Sequence, residues 1–321
     1  GGSQKQEQQQ TDQPDFVEAL AFSSSTLVVM SGEMVDAPGS DGPVNTIGRW
    51  YKPWFFKYVE SKLDPTVALQ RSNASAGRGK EEAAKDKEGG KKWAPTVEYI
   101  PLRDYYHRHS KSMFWEMELM FPVGNHPLVR LLSGGMLPPK VSFLKLTQTE
   151  LTQRLTQETH VAQDFMLPME ELASMMAFND TAFGKVYPVW LCPHLHRPMP
   201  GTILVPPPKP NGGTGPDSAA QMYVDVGVYG LPQCVKDKPV GHGFDMKTAM
   251  RATEARLTAI GGFEMLYADI YQTRAEFEEM YPHAEYRALR EKYGAVGVFP
   301  EVYDKINVIL GKEEKEASKQ D

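Results

Sequence analysis

Hydrophobic and polar residues alternate along five short stretches of this chain, which is the period of a β-strand with one buried face. The first two stretches lie next to each other and are predicted to form a hairpin. The remaining three lie further along the chain. The predicted strands cover residues 16–22, 26–35, 186–192, 222–228 and 263–269.

Apolar residues recur at intervals of three and four in six other stretches, which predicts amphipathic helices. Two helix boundaries carry specific signals. Thr273 and Glu276 form a capping-box pattern, and Gly261 with Gly262 follows a helix at the position where a left-handed residue ends it. The predicted helices cover residues 110–120, 149–160, 168–178, 246–260, 273–280 and 284–293.

Strands and helices are predicted in the order strand, helix, strand, strand, helix, strand. The pattern predicts an α+β fold with a mainly antiparallel sheet and helices on one face. Tyr229 follows the strand predicted at 222–228. It could pack against the core or reach a functional site, and the sequence leaves both roles open.

Four segments lack the apolar residues needed to offset the entropy of ordering a chain. Residues 1–15 are predicted to be a disordered linker and residues 311–321 a disordered tail. Residues 71–92 and 205–217 read as flexible insertions, the second because it mixes Pro and Gly. One domain over residues 16–310 is therefore predicted.

Composition narrows the class of protein. Of the 321 residues, 41% are hydrophobic, enough for a buried core, and the net charge of -6 argues against nucleic acid as a partner. Cys192 and Cys234 form no CxxC pattern, so neither a disulfide framework nor a thiolate zinc site is predicted. No apolar stretch is long enough to span a bilayer, and the N-terminus does not resemble a signal peptide.

Residues 103–109 are the densest polar cluster, with two imidazoles, two phenols and two guanidinium groups. Tyr and His side chains can transfer protons, whereas a structural role for the same groups is an equally open interpretation. His107 with His109, and His194 with His196, are HxH pairs. Neither has a third ligand at a defined spacing, so no metal site is predicted.

Residues 50–57 (WYKPWFFK) hold five aromatics. Trp50, Trp54, Phe55 and Trp115 would suit a pocket for a flat apolar substrate, and core packing is the alternative. Gly-rich phosphate cradles of the kind that bind dinucleotides are missing, because the glycines at 212–215 do not lie between a strand and a helix.

Several blocks of sequence occur in an order typical of one family. They are residues 50–57 (WYKPWFFK), 105–109 (YYHRH), 144–148 (LKLTQ), 187–193 (YPVWLCP), 223–230 (YVDVGVYG), 263–269 (FEMLYAD), 274–280 (RAEFEEM), 286–292 (YRALREK) and 299–305 (FPEVYDK). Over roughly residues 16–305 the chain resembles the delta-24 sterol reductases, FAD-linked oxidoreductases of the vanillyl-alcohol-oxidase type. The matching part is the substrate or cap domain and the C-terminal return segment.

This resemblance implies reduction of the side-chain double bond of a sterol, with FAD as cofactor and NADPH as reductant. It implies Tyr106, His107 or His109 as the proton donor. Arg103, Arg290 and Lys292 are the implied cofactor contacts.

The same resemblance implies that the flavin-binding domain and the membrane anchor lie outside this chain. Localisation at the cytosolic face of the endoplasmic reticulum membrane follows from it, through a segment the chain lacks. The alternative is a structural or assembly subunit that has lost the flavin domain.

Overall fold

The computed structural model describes residues 14–63, 96–137, 156–197, 204–207 and 220–308. Its strands are β1 Phe16–Ser23, β2 Thr26–Gly32, β3 Val161–Pro168, β4 Val189–His196, β5 Gln221–Gly230 and β6 Phe263–Glu264. Its α-helices are α1 Phe55–Glu60, α2 Leu102–Tyr106, α3 Glu116–Met120, α4 Pro127–Ser133, α5 Leu172–Ala182, α6 Gln233–Asp237, α7 Met246–Ile260, α8 Arg274–Met280, α9 Ala284–Lys292 and α10 Val302–Ile306.

The chain divides into two compact units. The first contains residues up to 148 and the second the residues from 149 onward, apart from the turn 23–25, which belongs to the second. The boundaries predicted at residues 15 and 310 stay predictions. The predicted segments 1–13, 71–92, 208–217 and 311–321, the LKLTQ block and most of the helix predicted at 149–160 lie outside the described residues.

Strands of the second unit lie in the order β4-β5-β3-β6. Each pairing is antiparallel: β5 pairs with β4 and with β3, and β6 pairs with β3. In the first unit β1 and β2 are neighbours. The predicted α+β class with a mainly antiparallel sheet is confirmed.

Helices of the second unit pack on the sheet face that carries Phe165. The ring of Phe183, just after α5, stacks on Phe165 at 6.1 Å. Helix α7 packs against β3, β6 and α5. This face also carries Val226 and Val228, both fully buried, so apolar burial holds the layers together.

Local signals located two helices correctly. Helix α7 has the predicted bounds, and Gly261 ends it with φ +76°, in the left-handed region. Helix α8 begins after Thr273, whose hydroxyl oxygen accepts from the Glu276 N–H while the Glu276 carboxylate accepts from the Thr273 N–H. The hairpin, β4, β5 and α9 were also predicted, with ends shifted by a few residues.

Two element predictions were wrong, and one strand was missed. Strand β3 was missed because seven of its eight residues are buried, so no alternation marks it. The helix predicted at 110–120 is reduced to α3, since Met113 and Phe114 adopt positive φ and end helical geometry there. The strand predicted at 263–269 is only β6, after which the chain turns.

Candidate functional site

The predicted aromatic set of the first unit is mostly core. Trp54, Phe55 and Trp115 are buried. The ring of Phe56 joins two of them, with centroids 6.2 Å from Trp54 and 6.3 Å from Trp115. Trp50 differs, because 43% of its surface is exposed.

The predicted proton donors lie in two environments. Tyr106, at the end of α2, is 58% exposed, and His107 and Arg103 are also exposed. His109 is enclosed: its ring stacks on Phe114 at 4.4 Å and meets the edge of Phe55 at 5.0 Å. The structure therefore does not bring the three predicted donors and Arg103 into one environment.

His109 contacts an ion pair that sequence analysis did not identify. Glu18 on β1 accepts two hydrogen bonds from the Arg108 guanidinium, at 2.7 Å from Nε and 2.8 Å from Nη2. His109 Nε2 lies 3.5 Å from Glu18 Oε2. Burial alone would raise the pKa of Glu18, but the contacts with His109 and Arg108 outweigh it and lower the pKa to about 2. Burial lowers the pKa of His109, with Glu18 opposing it.

Arg290, a predicted cofactor contact, forms hydrogen bonds with the residues that follow its own helix. Its guanidinium donates to the carbonyl oxygens of Ala295, Phe299 and Pro300 at 3.2, 2.6 and 3.2 Å. Lys292 is exposed, with Nζ 5.3 Å from the centre of the Tyr293 ring. Arg290 therefore holds the turn after α9 closed.

A second polar cluster lies in the second unit, on the sheet face opposite the helices. Asp164 on β3 accepts hydrogen bonds from two phenols, Tyr229 to Oδ1 and Tyr267 to Oδ2. We call the side of the sheet that carries Asp164, Asp225, Gly227 and Tyr229 the acidic face. These four residues share a side because Asp164 lies directly opposite Gly227, and alternate residues of β5 point the same way.

Asp225 is the most isolated group of this face. It is 5% exposed, and its buried Oδ1 has no hydrogen-bond partner among the described residues. Burial and, after it, the charge of Asp164 raise the pKa of Asp225 to about 7. Burial also raises the pKa of Asp164, but the hydrogen bonds from Tyr229 and Tyr267 oppose that change.

Gly227 makes the tyrosine contact geometrically feasible. A Cβ at this position would lie 2.8 Å from Asp164 Oδ1 and 2.9 Å from the Tyr229 hydroxyl oxygen. The phenol of Tyr229 lies in the space that the absent side chain of Gly227 leaves. Gly227 is thus required for the hydrogen bond as it stands.

Of this cluster, only Tyr229 had been singled out, with its role open. Asp225 and Gly227 do interrupt a mostly apolar stretch of β5, and Asp164 is a charged residue within the buried strand β3. Those interruptions were the available signal. They did not reveal that Tyr267, 103 residues from Asp164, completes the cluster.

A third acidic group lies on the opposite, helix-covered side of the sheet. Glu264 lies opposite Phe165 and is 1% exposed. Burial and the charge of Glu254 raise its pKa well above the usual range. Neither of its carboxyl oxygens has a hydrogen-bond partner among the described residues.

The histidine pair of β4 is not assembled into a metal centre. His194 is exposed, and His196 Nε2 lies 2.8 Å from the carbonyl oxygen of Pro206. In the described part of the chain, no three His, Cys, Asp or Glu side chains are grouped to hold a metal ion. Nor does any helix within those ranges have the length and apolar composition for crossing a bilayer.

Comparison with known proteins gives consistent results. No family model matches the chain. It is 40% identical over 298 residues to the Delta(24)-sterol reductase of Homo sapiens, covering 92% of this chain and 49% of that protein. It is 37% identical over 293 residues to the Delta(24)-sterol reductase homolog of Caenorhabditis elegans, covering 91% and 47%. The Delta(24)-sterol reductase of Arabidopsis thaliana is 34% identical over 301 residues, covering 91% and 47%. The chain spans about half the length of the curated relatives it matches.

Proposed function

We propose that this chain, a member of the delta(24)-sterol reductase family, is the substrate-domain and C-terminal part of an enzyme. That enzyme reduces the delta-24 double bond of a sterol side chain. The observation that carries this proposal is similarity to proteins of that name over nine-tenths of the chain, in both animals and plants. The reductant is NADPH and the cofactor is FAD.

FAD, when bound, supplies the hydride for such a reduction. The acidic face is chemically suited to act together with FAD, because its carboxyl and phenol groups can supply a proton and cannot supply a hydride. The flavin-binding domain lies outside this chain. Arg103 and Lys292 stay proposed contacts to the cofactor or its domain, whereas Arg290 is committed to backbone carbonyls.

The aromatic residues of the first unit have a divided role in this proposal. Trp50 is the accessible member and would contact the sterol, which is large, rigid and mostly apolar. Trp54, Phe55 and Trp115 are buried and would support that surface from within. Tyr106, His107 and His109 stay candidates for proton transfer, the first two exposed and the third beside Glu18.

Membrane association is part of the same proposal. The enzyme would reside at the cytosolic face of the endoplasmic reticulum membrane and be held there by a segment outside this chain. Its sterol substrate partitions into that bilayer, so a membrane-bound enzyme meets it at high local concentration.

The test is a sterol reduction assay on the natively purified protein, with mass spectrometry of its full polypeptide content and its visible absorbance spectrum. We expect bound flavin and loss of one delta-24 alkene per NADPH oxidised. Desmosterol is the substrate, and cholesterol, which has a saturated side chain, is the matched control. A flavin-free protein that reduces no sterol would overturn the proposal and favour a structural or assembly subunit.

A further inference from the structure

We propose that Asp225 is the acid that protonates the alkene during this reduction, with Asp164 held as its ionised neighbour. The inference rests on the proposed function and names the group that carries out one of its two bond-forming steps.

The first observation is that Asp225 is buried without being used. Structural carboxyl groups inside proteins are nearly always hydrogen-bonded, because a buried oxygen without a partner destabilises the fold. Asp225 Oδ1 is buried and has no such partner within the described residues. Within the acidic face, Asp225 is therefore the carboxyl with an oxygen that the described residues leave without a hydrogen bond.

The second observation is that the two aspartates of this face are set up differently. Asp164 accepts O–H bonds on both oxygens, from Tyr229 and Tyr267, and hydrogen bonds of this kind favour the charged form. Asp225 lacks an equivalent bond on Oδ1 and is diagonal to Asp164 across two paired strands, a spacing of about 7–8 Å. When their surroundings give two nearby carboxyls different pKa values, the one with the lower pKa is the anion and the one with the higher pKa can act as the acid.

The third observation is that apolar side chains lie beside Asp225. Met166 lies directly opposite it on β3, and Phe263 is opposite Met166 on β6. On the other side of β5, Trp190 lies opposite Gly227 on the same face of the sheet. A branched hydrocarbon side chain with a double bond is the kind of ligand that such a surface accepts.

Both hydrogen atoms added to the double bond have a source. One alkene carbon accepts a hydride from the reduced cofactor of the proposed function, and the other accepts the proton of Asp225. The π bond is replaced by two C–H bonds, and Asp225 is left as a carboxylate. Repulsion from the Asp164 carboxylate then favours return of a proton to Asp225 from solvent.

Three neighbouring titratable groups on this face are weaker candidates. Tyr229 and Tyr267 already donate to Asp164, and burial, followed by that hydrogen bond, raises the pKa of each phenol. From β4, Cys192 lies opposite Asp225. A thiol is a weaker acid than a carboxyl, whose pKa here is near neutrality.

The experiment compares Asp225→Asn with Glu264→Gln in the complete enzyme under single turnover. Glu264 is the matched control, since it is an equally buried carboxyl on the opposite side of the sheet. We expect Asp225→Asn to slow sterol-dependent reoxidation of the flavin by about 10²–10⁴-fold, with reduction by NADPH unchanged. Glu264→Gln should leave both rates within about 3-fold, because it removes no proton donor.

A readout that needs no turnover is the infrared C=O stretch of protonated carboxyl groups. The Asp225 contribution, obtained as wild type minus Asp225→Asn, should be present at pH 6 and titrate away near pH 7. It should remain in the Glu264→Gln variant. An Asp225 carboxyl that is already ionised at pH 6 would overturn the inference.

The kinetic outcomes separate the two proposals. If the wild-type enzyme reduces sterol and Asp225→Asn keeps its rate, the inference fails alone. If Tyr106→Phe or His107→Ala shows the large loss instead, the donor lies in the first unit and the inference again fails. A wild-type enzyme that reduces no sterol overturns the proposed function, and the inference with it.

Discussion

Replacing Asp225 by asparagine should stabilise the protein at neutral and alkaline pH. Asparagine has nearly the same shape but cannot ionise. The wild-type carboxyl must ionise in a buried position beside Asp164 when the pH is high. Removing that requirement removes an electrostatic cost that the unfolded chain does not carry.

The magnitude follows from the two pKa values. A free aspartate has a pKa of 3.8, and Asp225 in the folded protein has a pKa of about 7. The unfolded state therefore binds fewer protons between these values, so stability falls as pH rises from about 4 to 7. At 1.36 kcal/mol per pKa unit, the full loss is about 4 kcal/mol above pH 7 and none below pH 3.8.

The assay is urea denaturation followed by circular dichroism, with linear extrapolation to water at several pH values. The informative quantity is the variant's gain at pH 8 minus its gain at pH 4, since costs of the buried amide that do not depend on pH cancel. We expect about 4 kcal/mol for Asp225→Asn. Asp36→Asn, which changes an exposed carboxyl, should give a difference near zero.

A difference below about 1 kcal/mol for Asp225→Asn, with unchanged denaturant slopes, would refute the reasoning. It would mean that Asp225 ionises as readily in the folded as in the unfolded protein. Its assignment as the proton-donating acid would then lose its electrostatic basis.

Three further predictions concern other parts of the described chain. Gly227→Ala should lower the free energy of unfolding by about 1–3 kcal/mol, because its Cβ would displace a hydrogen-bonded phenol, whereas Gly135→Ala, with open space around it, should be nearly neutral in the same denaturation assay. Glu18→Gln should cost about 3 kcal/mol at pH 7 by removing the carboxylate that accepts two hydrogen bonds from Arg108. Because the lowered pKa of Glu18 stabilises the fold above pH 4.5, this cost should fade as pH drops towards 2; a cost that stays constant across the titration would contradict the ion-pair account. Thr273→Ala should cost about 1 kcal/mol and Thr273→Ser much less, measured as a shift in the midpoint of thermal unfolding, and equal losses would exclude the hydroxyl as the cap.

Local sequence determined the elements whose stabilising contacts are themselves local. The bounds of α7 and the start of α8 could be predicted, because Gly261 and the Thr273–Glu276 pair act within one helical turn. The α+β class followed from the order of alternating and helical stretches. The resemblance to the delta-24 sterol reductases is confirmed by similarity to proteins of that name.

Only the tertiary structure decided which polar groups meet. Strand register sets Asp164 opposite Gly227, and a turn brings in Tyr267 from far along the sequence. Arg108 likewise pairs with Glu18, 90 residues away. Register and long-range packing depend on burying whole sheet faces at once, so a pattern read within a few residues contains no information about them. The acidic face could therefore be identified only after the strands were paired.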